Sequence, residues 1–260
     1  MTEFIFYSNP WLLPILMLVV LGVSIELPYR FSGYLSRNAS KTDPFNAVQA
    51  GLLTLSAFVL GLSFSQASAR FDARRALIVN EANSMGTTWL RAAQLGSTQS
   101  KLFRQILTDD AATILKAYET PNDPELYRLV IDRNYRDQDE LWAIASSALR
   151  AHPANLGLSL LMQSLSDKIE VSSRQRQALT SHVPTAIIVL TLVLVTLGTL
   201  SLGLRFAMDK ARPVGLSAIY VLAYVIVINM MIDYDRPNTG FVRVSATPLA
   251  RELQLMQRSP

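Results

Sequence analysis

Four long stretches of the chain, residues 4–25, 44–69, 177–204 and 213–232, contain no Asp, Glu, Lys or Arg. A bilayer core ~30 Å thick is crossed by ~20 mostly apolar residues wound as a helix, and each stretch is long enough. Hydrocarbon offers no hydrogen-bond partner to a backbone, so a segment that crosses it must be a helix that satisfies its own N–H and C=O groups. The chain therefore reads as an all-α membrane protein with four transmembrane helices, over 4–28, 44–69, 177–204 and 213–233.

Between the second and third spans lies a charged block, 70–176, in which acidic and basic residues nearly balance. Few glycines interrupt it and β-branched residues are sparse, so it reads as helix throughout. The first of its helices continues directly from span two, with no linker between Ala67 and Ala82, and ends near Gly96. A second covers about 97–119. Thr120 to Pro124 breaks it, with Asp123 placed to cap the next helix and Pro124 at its first position. That third helix runs to about Ala151, where His152-Pro153 stops it, and a fourth starts near Asn155 and runs toward span three. Residues 234–260 are a C-terminal tail.

The net charge of +4 gathers in short flanks beside the spans, at Arg30, Arg37, Lys41, Arg205, Lys210 and Arg212. Bases in such places meet lipid headgroups, so membrane lipids are the expected partners and nucleic acid is not. The chain has no cysteine, which excludes disulfides, iron–sulfur clusters and thiol nucleophiles. Residues 1–10 carry no Lys or Arg, so the basic start of a cleavable secretory signal is missing and the first span is expected to be retained. Four spans put the N-terminus, the 70–176 block and the tail on one side. That side holds more basic residues near the membrane than the two short loops do, which predicts a multi-pass protein of the inner membrane with cytoplasmic N- and C-termini and a cytoplasmic helical domain. The sequon Asn38-Ala39-Ser40 decides nothing.

No catalytic motif is present: there is no Gly-x-Ser-x-Gly elbow, phosphate loop or His-Glu-x-x-His pair. The expectation is a protein that is not an enzyme and needs neither cofactor nor metal. His152 and His182 sit at helix boundaries and read as capping or interfacial residues. Asp109-Asp110 and the cluster Asp137, Asp139 and Glu140 read as solvated helix faces paired with Arg133 and Arg136. Span two carries a stripe of small residues at helical spacing, Ala50, Thr54, Ala57, Gly61, Ser65 and Ser68. Such a stripe either packs helices closely or faces water and ions, with Phe58, Leu62 and Phe64 as flanking constrictions. Both readings stand at this point.

Two segments carry a resemblance. Phe71-Asp72-x-Arg74-Arg75 followed by Glu81-Ala82-Asn83-x-x-Gly86-Thr87 is the first, and Asp235-Arg236-Pro237-x-x-Gly240-x-x-Arg243-Val244 the second. With Leu141-Trp142-Ala143 and Pro184, they resemble the hallmark stretches of a bacterial membrane family labelled as containing a bestrophin-like domain. The resemblance implies a homo-oligomeric ion channel, a pentamer or a tetramer, whose pore is lined by span two. Thr54, Phe58, Gly61, Leu62 and Ser65 are then the pore-lining candidates. Arg70, Asp72, Arg74, Arg75, Glu81, Asp233, Asp235 and Arg236 are the candidate charges of the inner mouth. The expected cargo is small monovalent ions, cations slightly ahead of anions. The acidic run that forms the calcium clasp of animal bestrophins is missing, so calcium gating is not implied. The alternative is a non-conducting scaffold or sensor whose helical domain binds a partner protein.

Overall fold

An apolar helix that meets no proline after Pro44 has no reason to stop at the membrane surface, and in the computed structural model it does not. The model describes residues 11–31, 43–120, 123–236 and 240–258. Helix α1 is Leu12–Arg30 and α2 is Asp43–Arg91, one unbroken element of 49 residues that spans roughly 73 Å at 1.5 Å per residue. The expected continuity across residues 66–80 is present. A 3-10 turn, Ala92–Gln94, ends it. Then come α3 (Ser97–Glu119), α4 (Pro124–Ala151), α5 (Leu156–Thr180), α6 (Thr185–Met208), α7 (Val214–Asp235) and α8 (Thr247–Arg258). No strand occurs among the described residues. Four helical stretches, in Leu12–Arg30, Phe45–Gln94, Leu156–Met208 and Val214–Asp235, are long and apolar enough to cross a membrane.

Helix ends follow local chemistry. The Asp123 carboxylate accepts the Leu126 N–H at 2.9 Å, with Pro124 in the first turn, as its place before a proline predicts. Asn155 caps α5 by accepting the N–H groups of Gly157 and Leu158. Two boundaries differ from the sequence reading. The charge-free run 177–204 is not one helix: its first four residues finish α5, residues 181–184 form a break, and α6 runs on to Met208. Pro184 is the reason, because its ring disfavours helical backbone at the preceding residue and its nitrogen has no hydrogen to donate. The tail is also more than a tail, since it contains α8. Residues 4–10 of the first span and the sequon at Asn38 lie outside the described residues.

The chain divides into two units, Met1–Arg70 with His182–Val242, and Phe71–Ser181 with Arg243–Pro260. In the first, Met17, Leu21 and Ile25 of α1 pack with Leu60 and Ala67 of α2, Ile188 and Val195 of α6, and Val225, Ile228 and Met231 of α7. Small and hydroxylated residues let these helices approach: the Ser63 and Thr191 hydroxyls are 3.1 Å apart, and so are those of Ser56 and Tyr224. At Gly203 of α6, an added Cβ would fall within 3 Å of the Ile25 Cα and carbonyl carbon of α1. Backbone cannot swing aside as a side chain can. Gly203→Val is therefore expected to force α1 and α6 apart and to lower the thermal midpoint of the detergent-purified protein by several degrees. Gly215→Val, in the first turn of α7 where a Cβ meets open space, is the matched control and should shift it little.

The second unit is held by Met85 and Trp89 of α2, Phe103 and Leu107 of α3, Leu141 and Ala145 of α4, and Leu158, Leu161 and Leu165 of α5. Leu249, Leu253 and Met256 of α8 join the same core. Each fully buried side chain of this size contributes about 1.5–3 kcal/mol. Gly86 is where α8 comes close, since a Cβ there would collide with the Glu252 side chain.

Candidate functional site

Span two has two unlike faces. Ser56, Leu60, Ser63 and Ala67, at steps of three or four, are buried within their unit. Thr54, Phe58, Gly61, Leu62 and Ser65 are exposed, Phe58 at 63% and Leu62 at 51%. Ala50 and Ala57 of the small-residue stripe are exposed with them, and Ser68 is half-buried. The stripe is thus not the surface that packs span two within its own chain. A Cβ added at Gly51 or Gly61 would meet nothing within 4 Å. The outward face is chemically mixed: two hydroxyls, two large apolar side chains and a glycine.

The candidate charges divide just as sharply. Asp72 and Arg75 are exposed and Arg70 is half-buried, whereas Arg74, Glu81, Asp233, Asp235 and Arg236 are buried. Two acids near a membrane exit are costly unless their oxygens are matched. Asp233 accepts the backbone N–H of Phe241 at 2.9 Å and of Val242 at 2.7 Å, which folds the chain after α7 back onto its carboxylate. Gly240 is required there, because a Cβ would sit within 3 Å of both the Asp233 Cγ and Oδ2. Asp235 accepts the Val183 N–H at 2.9 Å, and its Oδ2 lies 3.7 Å from the His182 Nδ1. Asp235 therefore ties the entry of span three to the exit of span four, while Asp233 holds the chain that follows span four against its own helix end. Arg74 donates from Nε to the Ala178 carbonyl at 3.0 Å and from Nη2 to the Ser181 carbonyl at 2.9 Å. It caps the end of α5, where carbonyls lack partners within the helix and a cation is favoured.

The helical unit contains a polar centre that the acidic clusters did not reveal as such. Asp109 is exposed and within 3.7 Å of Arg133, as a solvated face requires. Asp110, one residue on, is buried and bound to the Lys168 ammonium, itself 0% exposed, at 2.5 Å. The expectation of a solvated Asp110 is corrected here: neighbouring positions on a helix point about 100° apart, so one faces water and the other the core. The Asn134 amide donates to Asp110 at 2.7 Å, while its oxygen accepts from Gln138 at 2.7 Å and from Arg176 at 2.6 Å. Beside this network, Glu81 accepts the Ser172 hydroxyl at 2.9 Å and Gln175 donates to the Tyr118 hydroxyl. Glu81, Tyr118, Asn134, Ser172, Gln175 and Arg176 all border one cavity of about 50 Å³. Among the described residues, no group of three or more His, Cys, Asp or Glu is placed to hold a metal.

Glu81 lies beyond the charge-free stretch 44–69, in the helical unit. Its burial pushes the carboxyl above the ordinary glutamate range, with the Lys168 ammonium and the Ser172 hydroxyl pulling the other way. A raised folded-state value means that the native state holds its proton to higher pH than the unfolded chain does. The resulting stability is full below the unfolded value and is lost as pH rises through the folded one. Glu81→Gln should remove this component, so that its unfolding free energy declines less than that of the parent as pH rises from 4 through the raised value. Parallel denaturant titrations across that range measure it, and identical slopes would show that Glu81 ionises with no such penalty.

No family model matches the sequence, and no curated protein matches it. Solved structures do. A crystal structure of a variant of a bacterial bestrophin homolog from Klebsiella pneumoniae aligns with a TM-score of 0.69 at 16% identity, covering 97% of this chain and 100% of that one. A second variant gives 0.68 at 16% identity, with 94% of each chain covered. The structure of the homolog phased with zinc gives 0.65 at 17% identity, again with 94% of each chain covered. The chain is similar to these proteins in fold over nearly its whole length, and it is a remote relative of them in structure. Identity this low carries fold and not activity.

Proposed function

We propose that the protein is a subunit of a homo-oligomeric channel for small monovalent ions, in which the outward faces of several copies of α2 surround a common axis. One observation carries the reading. Span two exposes Thr54, Phe58, Gly61, Leu62 and Ser65 on the face opposite the one that holds its own unit together. Gly61 and the small residues beside it permit close approach of neighbouring helices. Phe58 and Leu62 supply an apolar constriction, and the Thr54 and Ser65 hydroxyls supply ligands for a partly dehydrated ion. The fold shared with bacterial bestrophin homologs supports the same reading.

The mouth charges on this proposal are those left exposed. Among these, Asp72 attracts cations while Arg75 and the half-buried Arg70 outnumber it, so the slight preference for cations expected from the sequence has the mouth charge against it; Arg74 is engaged with backbone carbonyls. The proposed location is the inner membrane, with both termini and the helical unit in the cytoplasm. Purified protein reconstituted in planar bilayers tests the function directly. Current carried by Na+ or K+ is the expected result. Silence across a broad range of voltage, salt and pH would reject conduction in favour of a scaffold whose helical unit binds a partner protein.

A further inference from the structure

A groove in the first unit is shaped for an amphiphile. It encloses about 460 Å³ between α1, the end of α6 and the start of α7. That is many times the ~30 Å³ a water molecule occupies in the liquid, and it lies in the range of ligand sites. Its floor is apolar, with Leu18, Ile25, Phe206, Val221 and Leu222, and Gly22 opens onto it: a Cβ added there would meet nothing within 4 Å. Along α1 the lining runs from Leu18 to Tyr29, roughly 16 Å of helix. One leaflet of the hydrocarbon core is about 15 Å deep, half of ~30 Å. The groove therefore runs from mid-membrane to the interface, the path of one acyl chain.

Its polar end decides which lipid fits. Arg212 donates to the Glu26 Oε1 at 2.6 Å and Arg30 to the same oxygen at 3.0 Å, so two guanidinium groups share one carboxylate and the rim is net positive. The Arg212 guanidinium also lies over the Tyr29 ring, 5.5 Å from its centre, and its side chain is 54% exposed. A guanidinium has five N–H donors, and the single bond to Glu26 leaves others for a phosphate. We infer that this groove binds an anionic phospholipid, one acyl chain lying against Gly22 and the phosphate on Arg212. A net-negative headgroup matches the rim, whereas a zwitterionic one does not.

The test uses the full-length protein, purified and stripped of lipid, then supplied with phosphatidylglycerol or phosphatidylcholine of the same acyl chains. Native mass spectrometry should retain one phosphatidylglycerol per subunit, with at least a fivefold preference over phosphatidylcholine, and the thermal midpoint should rise saturably with phosphatidylglycerol alone. Arg212→Ala, at an exposed side chain, should abolish the preference. Gly22→Leu, whose Cβ would meet nothing within 4 Å, sends its side chain into the groove and should empty the site of either lipid. Equal retention of both lipids in the parent, or retention unchanged by both substitutions, would overturn the inference. So would cross-links from Gly22→Cys to a second copy of the chain, since the groove would then be a subunit interface.

Discussion

On the proposed pore along span two, Phe58→Ala and Leu62→Ala are each expected to raise unitary conductance severalfold in reconstituted bilayers, because each removes an exposed apolar side chain from the outward face of that span. A hydrophobic constriction blocks ions by excluding water, and widening it admits a continuous water column. On the same proposal, Ser65→Lys is expected to move the reversal potential in a salt gradient toward the anion value, since its ammonium enters the same face one helical turn away. Phe58 and Leu62 are not buried in their own unit, so expression and detergent stability of the two alanine variants should stay within about 0.5 kcal/mol of the parent; Ser65→Lys sets a charge in an apolar span and is read only where the protein is purified folded. That separation gives the test its force. Unchanged conductance and selectivity in all three variants, with folding intact, would remove span two from the conduction path.

Breaking the Asp110–Lys168 pair is the largest stability effect expected in the chain. Removing one partner strands the other charge in a site where both are at most 1% exposed, which costs about 3–5 kcal/mol. A domain's whole stability is about 5–15 kcal/mol, so Lys168→Met or Asp110→Leu should leave the helical unit marginal. The double variant should be less damaged than the sum of the singles, because no lone charge remains. It still leaves the Asn134 amide without its acceptor, at about 1–3 kcal/mol. Hydrogen exchange across α3, α4 and α5 would measure both quantities, and additive singles would mean that the pair is not coupled in solution.

The helices of this chain were legible to the extent that their signals are local. Charge-free length marks the spans, Asp123 and Asn155 mark two starts, and Gly96 and Pro153 mark two stops. The long helix through Arg70 was legible because nothing in 66–80 could end it. What failed depends on partners distant in sequence. Asp109 and Asp110 look alike in a string, and only the position of Lys168, 58 residues on, separates the solvated one from the buried one. Helix α8 was hidden by its charges, although Leu249, Leu253 and Met256 do fall at helical spacing. In the membrane, the small stripe of span two was recognised, but not that Ser56 and Ser63 form the packing face. Small residues serve both purposes, and a sequence does not say which edge of a helix has a neighbour. Nothing local in the string marks Asp233 and Asp235 as acceptors of backbone N–H groups, since the donors to Asp233 come from the chain beyond Gly240 and the donor to Asp235 is Val183, 52 residues away.

The division of span two into a packed edge and a bare edge bears on how such a protein diverges. Substitutions at Ser56, Leu60, Ser63 or Ala67 are filtered by folding before any other property can be tried. Those at Thr54, Phe58, Gly61, Leu62 or Ser65 escape that filter, and lineages can explore them one at a time while the scaffold stays intact. Descendants of one ancestor can then keep a superimposable backbone and come to differ in whatever the bare edge governs.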